Sequence, residues 1–116
     1  MCFRPFYEIT NENPDQVYQF LCKFFYESNY PLTKEESAFL LDTIKELKGK
    51  VSNFDSFINA FEKKPKLYAL LTNFLPEHKF DCFINNKKVY ISTLDGITLS
   101  LTIAFLNIFG YSNVSN

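Results

Sequence analysis

Residues 80–96, FDCFINNKKVYISTLDG, decide what kind of fold this chain adopts. Phe80, Cys82 and Ile84 alternate with Asp81 and Phe83, and Val89 and Ile91 alternate with Lys88, Tyr90 and Ser92. Asparagine tolerates positive φ better than most residues, so Asn85-Asn86 reads as a two-residue turn. Ile84 then pairs with Lys87, Cys82 with Val89 and Phe80 with Ile91. The apolar set falls on one face, and a one-residue slip would scatter it. The expectation is a β-hairpin near residues 79–93.

The same stretch holds a cysteine, with His78, the only histidine, just before it. A catalytic cysteine needs a base within hydrogen-bond reach and an electropositive, partly open setting. On one strand Cys82 and His78 stand roughly 13 Å apart, too far for a dyad. Cys82 lies between Phe80 and Ile84 in the apolar set and reads as an inert core residue. His78, between Glu77 and Lys79 after Pro76, reads as a solvated loop residue. Zinc patterns need close Cys and His pairs, and one His with three scattered Cys does not supply them. No metal site, cofactor motif or catalytic set is therefore expected: there is no GxGxxG, P-loop, GxSxG or EF-hand spacing.

The chain before this stretch reads as helical. Residues 2–9 suit an edge strand, with Pro5 at the edge. Asn13 and Pro14 open a helix as cap and first helical residue. Val17, Phe20, Leu21, Phe24 and Phe25 form its apolar stripe, and Asn29–Pro31 end it. Thr33-Lys34-Glu35-Glu36 is a capping box. Leu40, Leu41, Ile44 and Leu47 follow as a buried stripe, with Gly49 as the left-handed stop. A third helix starts at Ser52-Asn53-Phe54-Asp55 with Phe54, Phe57, Ile58 and Phe61 inward. Pro65 ends it and starts a fourth, with Leu67, Leu70, Leu71 and Phe74 inward, and Pro76 stops that one.

Residues 97–109, ITLSLTIAFLNIF, admit two readings. Ile97, Leu99, Leu101 and Ile103 alternate as in a strand, and Asp95-Gly96 suits a hairpin turn. Apolar density continues through Phe105, Leu106, Ile108 and Phe109, however, and Gly110 falls where a helix stops. We favour a buried helix capped by Asp95, against a third strand followed by a short helix. Either way the expected fold class is α+β: a helical layer of about four to five helices packed on a small antiparallel sheet.

Composition sets the outer limits. The 116 residues suit one globular domain spanning 1–116. With 47% apolar residues and 14 phenylalanines, disorder is not expected. Net charge is −1, and Arg4 is the only arginine among 12 basic residues. A dedicated nucleic-acid binder shows a positive field and uses arginine to read guanine and phosphate, so that partner is disfavoured. The basic clusters Lys63, Lys64, Lys66 and Lys87-Lys88 read as solvated helix and hairpin ends. No run of about 18 apolar residues exists, so no membrane span is expected, and the N-terminus has no signal-peptide stretch. Three cysteines at unrelated spacings are not a disulfide framework, which points to a reducing, cytosolic compartment. Abundant Phe, Tyr, Lys, Asn and Ile reflect AT-rich codons, a style common in small proteins of mobile elements, phages and bacterial competition loci.

One pattern is not absorbed by the helical stripes. Phe39 lies off the buried stripe of the second helix, on a face shared with Glu35, Asp42 and Glu46. The structural reading is that another element of the fold covers it, or that a homodimer buries it. The functional alternative is an aromatic anchor with an acidic rim, suited to a basic partner protein. Tyr26 and Tyr30 fall similarly off the first helix's stripe and would neighbour Phe39 in an antiparallel helix hairpin.

The expected function is therefore a small, non-enzymatic cytosolic inhibitor that binds another, basic protein. An immunity protein neutralising a toxin (a nuclease among them) and a phage-type anti-defence protein are the natural examples, since an acidic patch mimics phosphate charge in a cationic groove. The competing classes are a small enzyme with a carboxylate/tyrosine site assembled in space, and a nucleic-acid-binding regulatory module using the lysine clusters. A reduced chain predicts three titratable thiols in freshly purified, denatured protein; a persistent disulfide would overturn the compartment assignment.

Overall fold

The computed structural model describes residues 13–51, 53–84, 90 and 95–110. Five α-helices occur among them: α1 (Pro14–Glu27), α2 (Lys34–Leu47), α3 (Phe54–Asn59), α4 (Pro65–Leu71) and α5 (Gly96–Phe109). Two 3-10 turns, Thr72–Phe74 and Asp81–Phe83, follow α4. No strand occurs among the described residues, so the α+β expectation is overturned: the described chain is built of helices joined by turns. Its helices pack on one another around an aromatic core instead of on a sheet.

The caps act where the sequence places them. Asn13 Oδ1 accepts from the Asp15 and Gln16 amides, with Pro14 at the first helical position. In α2 the capping box is complete: the Glu36 amide donates to Thr33 Oγ1 at 3.1 Å, and the Thr33 amide donates to Glu36 Oε1 at 3.0 Å. A cap of this kind is worth about 1 kcal/mol. Asn53 caps α3, and Asp95 Oδ1 accepts from the Thr98 amide at 2.7 Å to start α5. Residues 97–109 are thus helical, as favoured. Gly49 and Gly110 both sit at positive φ just beyond α2 and α5, where a side chain would be strained.

α1 is the central element. Val17, Phe20, Leu21, Phe24 and Phe25 are fully buried, as the stripe predicts. One flank of α1 packs on α5 and another on α2. Gln16 Nε2 donates to the Ile108 carbonyl and Ser100 Oγ to Glu27, so α1 and α5 run antiparallel. α2 buries Leu40 and Ile44 as expected, but Thr43 takes the third buried place while Leu41 and Leu47 are only half-buried. In the middle of the chain Phe54, Phe57, Ile58, Phe61, Leu67, Leu71 and Phe74 are buried, and Leu70 is half-buried.

The expected hairpin fails at its first strand. From Leu75 to Ile84 the backbone closes on itself through three-residue steps: His78 to Leu75, Asp81 to His78, Phe83 to Phe80 and Ile84 to Asp81, at 3.0–3.2 Å. Asp81 holds the turn by accepting from the Glu77 amide at 3.0 Å, and Glu77 stands at φ 72°. Side chain-to-backbone bonding of this kind competes with strand pairing. Phe80, Phe83 and Ile84 are then buried together at helical spacing, and Cys82 faces partly outward. Alternation assigned these two differently, placing Cys82 in the apolar core set and Phe83 with Asp81 on the opposite face. The second strand of that hairpin, apart from the exposed Tyr90, and the edge strand at 2–9 lie outside the described residues.

Among the described residues no helix is long and apolar enough to cross a membrane. Cys22 and Cys82 are both half-buried.

The helical-turn geometry makes a prediction opposite to the hairpin's. Phe83→Ala should cost about 3–5 kcal/mol, because it empties a fully buried ring site. Cys82→Ala should cost about 1 kcal/mol or less. Urea denaturation of the two variants checks the order; a larger loss for Cys82→Ala would restore the strand register.

Candidate partner-binding surface

The outward side of α2 carries Glu35, Asp42 and Glu46, all exposed. At about 100° per residue these three carboxylates fall within an arc of about 40°. Phe39 lies at one margin of that arc, and the exposed Ala38 and Lys45 lie at the other. The second helix thus presents the face that its sequence implies, with its long axis lined by acid.

Phe39 itself is half-buried. Its ring meets the edge of Phe61 at 5.8 Å in a T-shaped arrangement, and Phe61 is fully buried. Lys64 Nζ stands 5.5 Å from the Phe39 ring centroid on the same side as Glu35, whose Oε1 it approaches at 3.6 Å. The turn leaving α3 therefore covers part of Phe39. Lys64 is the participant that sequence reasoning missed. The sequence shows it only as one of the basic cluster Lys63, Lys64 and Lys66; its proximity to Glu35 and Phe39 arises in the turn after α3, where Phe61 meets Phe39.

Tyr30 and Glu36 continue the site on the other side of Lys64. Together with Lys64, Pro65 and Lys66 they line an open cleft of about 270 Å³. The Tyr30 hydroxyl donates to Glu36 Oε2 at 2.6 Å. This bond raises the Tyr30 phenol above its ordinary value, aided by partial desolvation and the Glu36 charge. The Glu36 carboxyl is held below its ordinary range, first by the Thr33 amide and then by the Tyr30 hydroxyl. Glu36 is thereby committed to shaping the α1–α2 junction, whereas Glu35 beside it points its carboxylate to solvent, with 85% of its side chain exposed.

Tyr26 stands apart from this group. It is 70% exposed near the end of α1, with Lys23 Nζ 5.7 Å from its ring centroid, and Lys23 pairs with Glu27 at 3.0 Å. The structure thus gathers Glu35, Phe39 and Tyr30 around Lys64, extends Asp42 and Glu46 along α2, and leaves Tyr26 in a separate aromatic–lysine contact. Among the described residues no three His, Cys, Asp or Glu side chains converge on one point. His78 is exposed in the turn after Pro76. In comparisons with known proteins, no family model, curated protein or solved structure matches the chain.

The lowered Glu36 pKa has a testable sign. A carboxylate whose folded pKa lies below its unfolded value adds stability that is present above the unfolded value, near 4.5, and is lost as pH falls through the folded one. Glu36→Gln should therefore lower Tm at pH 7 and flatten its fall below pH 4.5. Thermal melts from pH 7 to 3 check this; parallel curves for both proteins would refute the assignment.

Proposed function

We propose that this chain is a non-enzymatic, cytosolic protein-binding inhibitor that engages a basic partner through the acidic face of α2. The observation that carries this reading is the alignment of Glu35, Asp42 and Glu46 on one exposed helix face. Asp42 and Glu46 stand four residues apart, a like-charge spacing that costs a helix about 0.2–0.5 kcal/mol. Such an arrangement is understandable where the charges serve recognition. A row of carboxylates offers a cationic groove what a phosphate chain offers, and it steers encounter over distance. The half-exposed Phe39 supplies apolar area at the edge of the row, as aromatic residues do at interfaces. An immunity protein against a toxin, or a phage-type protein that blocks a host defence, acts in this manner.

The reading is tested by affinity capture from source-cell lysate with the wild-type chain and with Asp42→Lys and Glu46→Lys. A basic protein should be recovered at low salt and released at high salt. Each reversal should weaken its capture, chiefly by slowing association, because rim charges act on encounter. Recovery of nucleic acid in its place, or a partner indifferent to both reversals, would defeat the proposal.

A further inference from the structure

We propose that Phe39 and Glu35 form a seat for one arginine of the basic partner, and that Lys64 fills this seat from within the chain until the arginine displaces it. The inference rests on the reading of α2 as a binding face and specifies what that face recognises.

The seat is built from one rigid part and one open part. Phe39 is fixed by its contact with the buried Phe61, so its ring does not need to be ordered on binding. Glu35 is open, with 85% of its side chain exposed. Between them stands a cation, Lys64 Nζ, 5.5 Å from the ring centroid and 3.6 Å from the carboxylate. A cation within about 6 Å of a ring centroid is attracted by the ring's quadrupole. The chain's own lysine thus shows that the space accepts a positive charge.

Lysine fits the seat incompletely. At 3.6 Å the ammonium is close enough for charge attraction but beyond hydrogen-bond length. Both Glu35 oxygens therefore keep acceptor capacity towards solvent. A guanidinium stacks on an aromatic face and donates two parallel bonds to a carboxylate, which an ammonium cannot do. Arginine thus gains more from this pair of groups than Lys64 does.

Lys64 also has somewhere to go. Its backbone is anchored, since the Lys64 amide donates to the Phe61 carbonyl at 2.9 Å and Pro65 follows. Its side chain borders the cleft lined by Tyr30, Glu36, Pro65 and Lys66. Glu36, in that cleft, already feels the Lys64 charge. Displacement therefore moves the ammonium from one carboxylate towards another and leaves no buried charge unpaired. Lys64 acts as a plug that blocks weak cations and yields to arginine.

The test uses the full chain and the probe Nα-acetylarginine methylamide, titrated while the Phe39 ring signals are followed by NMR. Lys64→Met keeps most of the unbranched stem and removes the ammonium with its charge. It should bind the probe about two- to fivefold more tightly than wild type, the gain expected when one exposed cation–π competitor is removed. Lys66→Met removes an equal charge next door without emptying the seat and should gain less. Adding Glu35→Gln to Lys64→Met should cancel the gain. Lys64→Gln provides a second vacated seat should the methionine variant fold poorly. Equal gains in Lys64→Met and Lys66→Met, or probe shifts that bypass Phe39, would overturn the proposal. A basic partner lost on reversal of Asp42, with no gain in Lys64→Met, would overturn the seat and keep the acidic face. A working seat with no basic partner in lysate would do the opposite.

Discussion

Phe20 is the contact on which the rest of the structure depends. Its ring meets Phe74, Phe83, Phe105 and Phe109 at centroid separations of 5.2–6.2 Å, most of them steeply tilted or edge-on. One side chain of α1 thereby ties together both 3-10 turns and α5. Phe74 extends the network to Phe24, Phe54 and Phe80. Tilted and edge-to-face rings satisfy the aromatic quadrupole better than face-to-face stacks, and phenylalanine brings no polar atom that burial would strand. A chain without tryptophan fills its centre with one repeated shape, and the elements around it adjust to that shape.

This explains why some elements were legible and one was not. α1 and α2 announce themselves through caps, which are local chemistry: Asn13 and Thr33 satisfy amides within three residues of themselves. The break at Pro65 is local for the same reason. Residues 80–84 offer no such signal, because Phe80, Phe83 and Ile84 suit a turn of helix as well as Phe80, Cys82 and Ile84 suit a strand. What decides between them is remote. Phe20 and Phe105 receive the Phe83 ring, and the backbone from Leu75 onward already closes its own hydrogen bonds. Five residues of alternation are too few to outweigh a buried ring site. In α2, the buried Thr43 in place of a half-buried Leu41 shows the same limit, since neighbours set which edge of a stripe is covered.

The candidate surface divides in the same way. The shared face of Glu35, Asp42 and Glu46 follows from helical period alone and was visible from the outset. Lys64 was not, because it reaches that face only through the turn after α3, where Phe61 meets Phe39. The reading of Phe39 changes accordingly. In sequence it is a phenylalanine ringed by carboxylates; in the fold it is a ring held by Phe61 on one side and shared with a lysine on the other.

Adjacent glutamates in α2 show how the fold and the proposed function draw on different charges. Glu36 serves the chain itself, accepting from the Thr33 amide and the Tyr30 hydroxyl. Glu35 shares the first turn, where negative charge also suits the helix dipole, so helix stability alone accounts for an acid there. Asp42 has no such support in the middle of the helix, and Glu46 lies in the last turn, where the dipole disfavours a negative charge and where Asp42 stands one turn behind it. Lys45 is the residue that the dipole favours at that end. The acidic row thus runs towards the C-terminus of α2 against the helix dipole, with Lys45 three residues beyond Asp42 as an opposite charge beside it. Of the three acids in the row, Glu46 is the one that the helix dipole disfavours, whereas Glu35, which meets Lys64, lies in the turn where the dipole favours it.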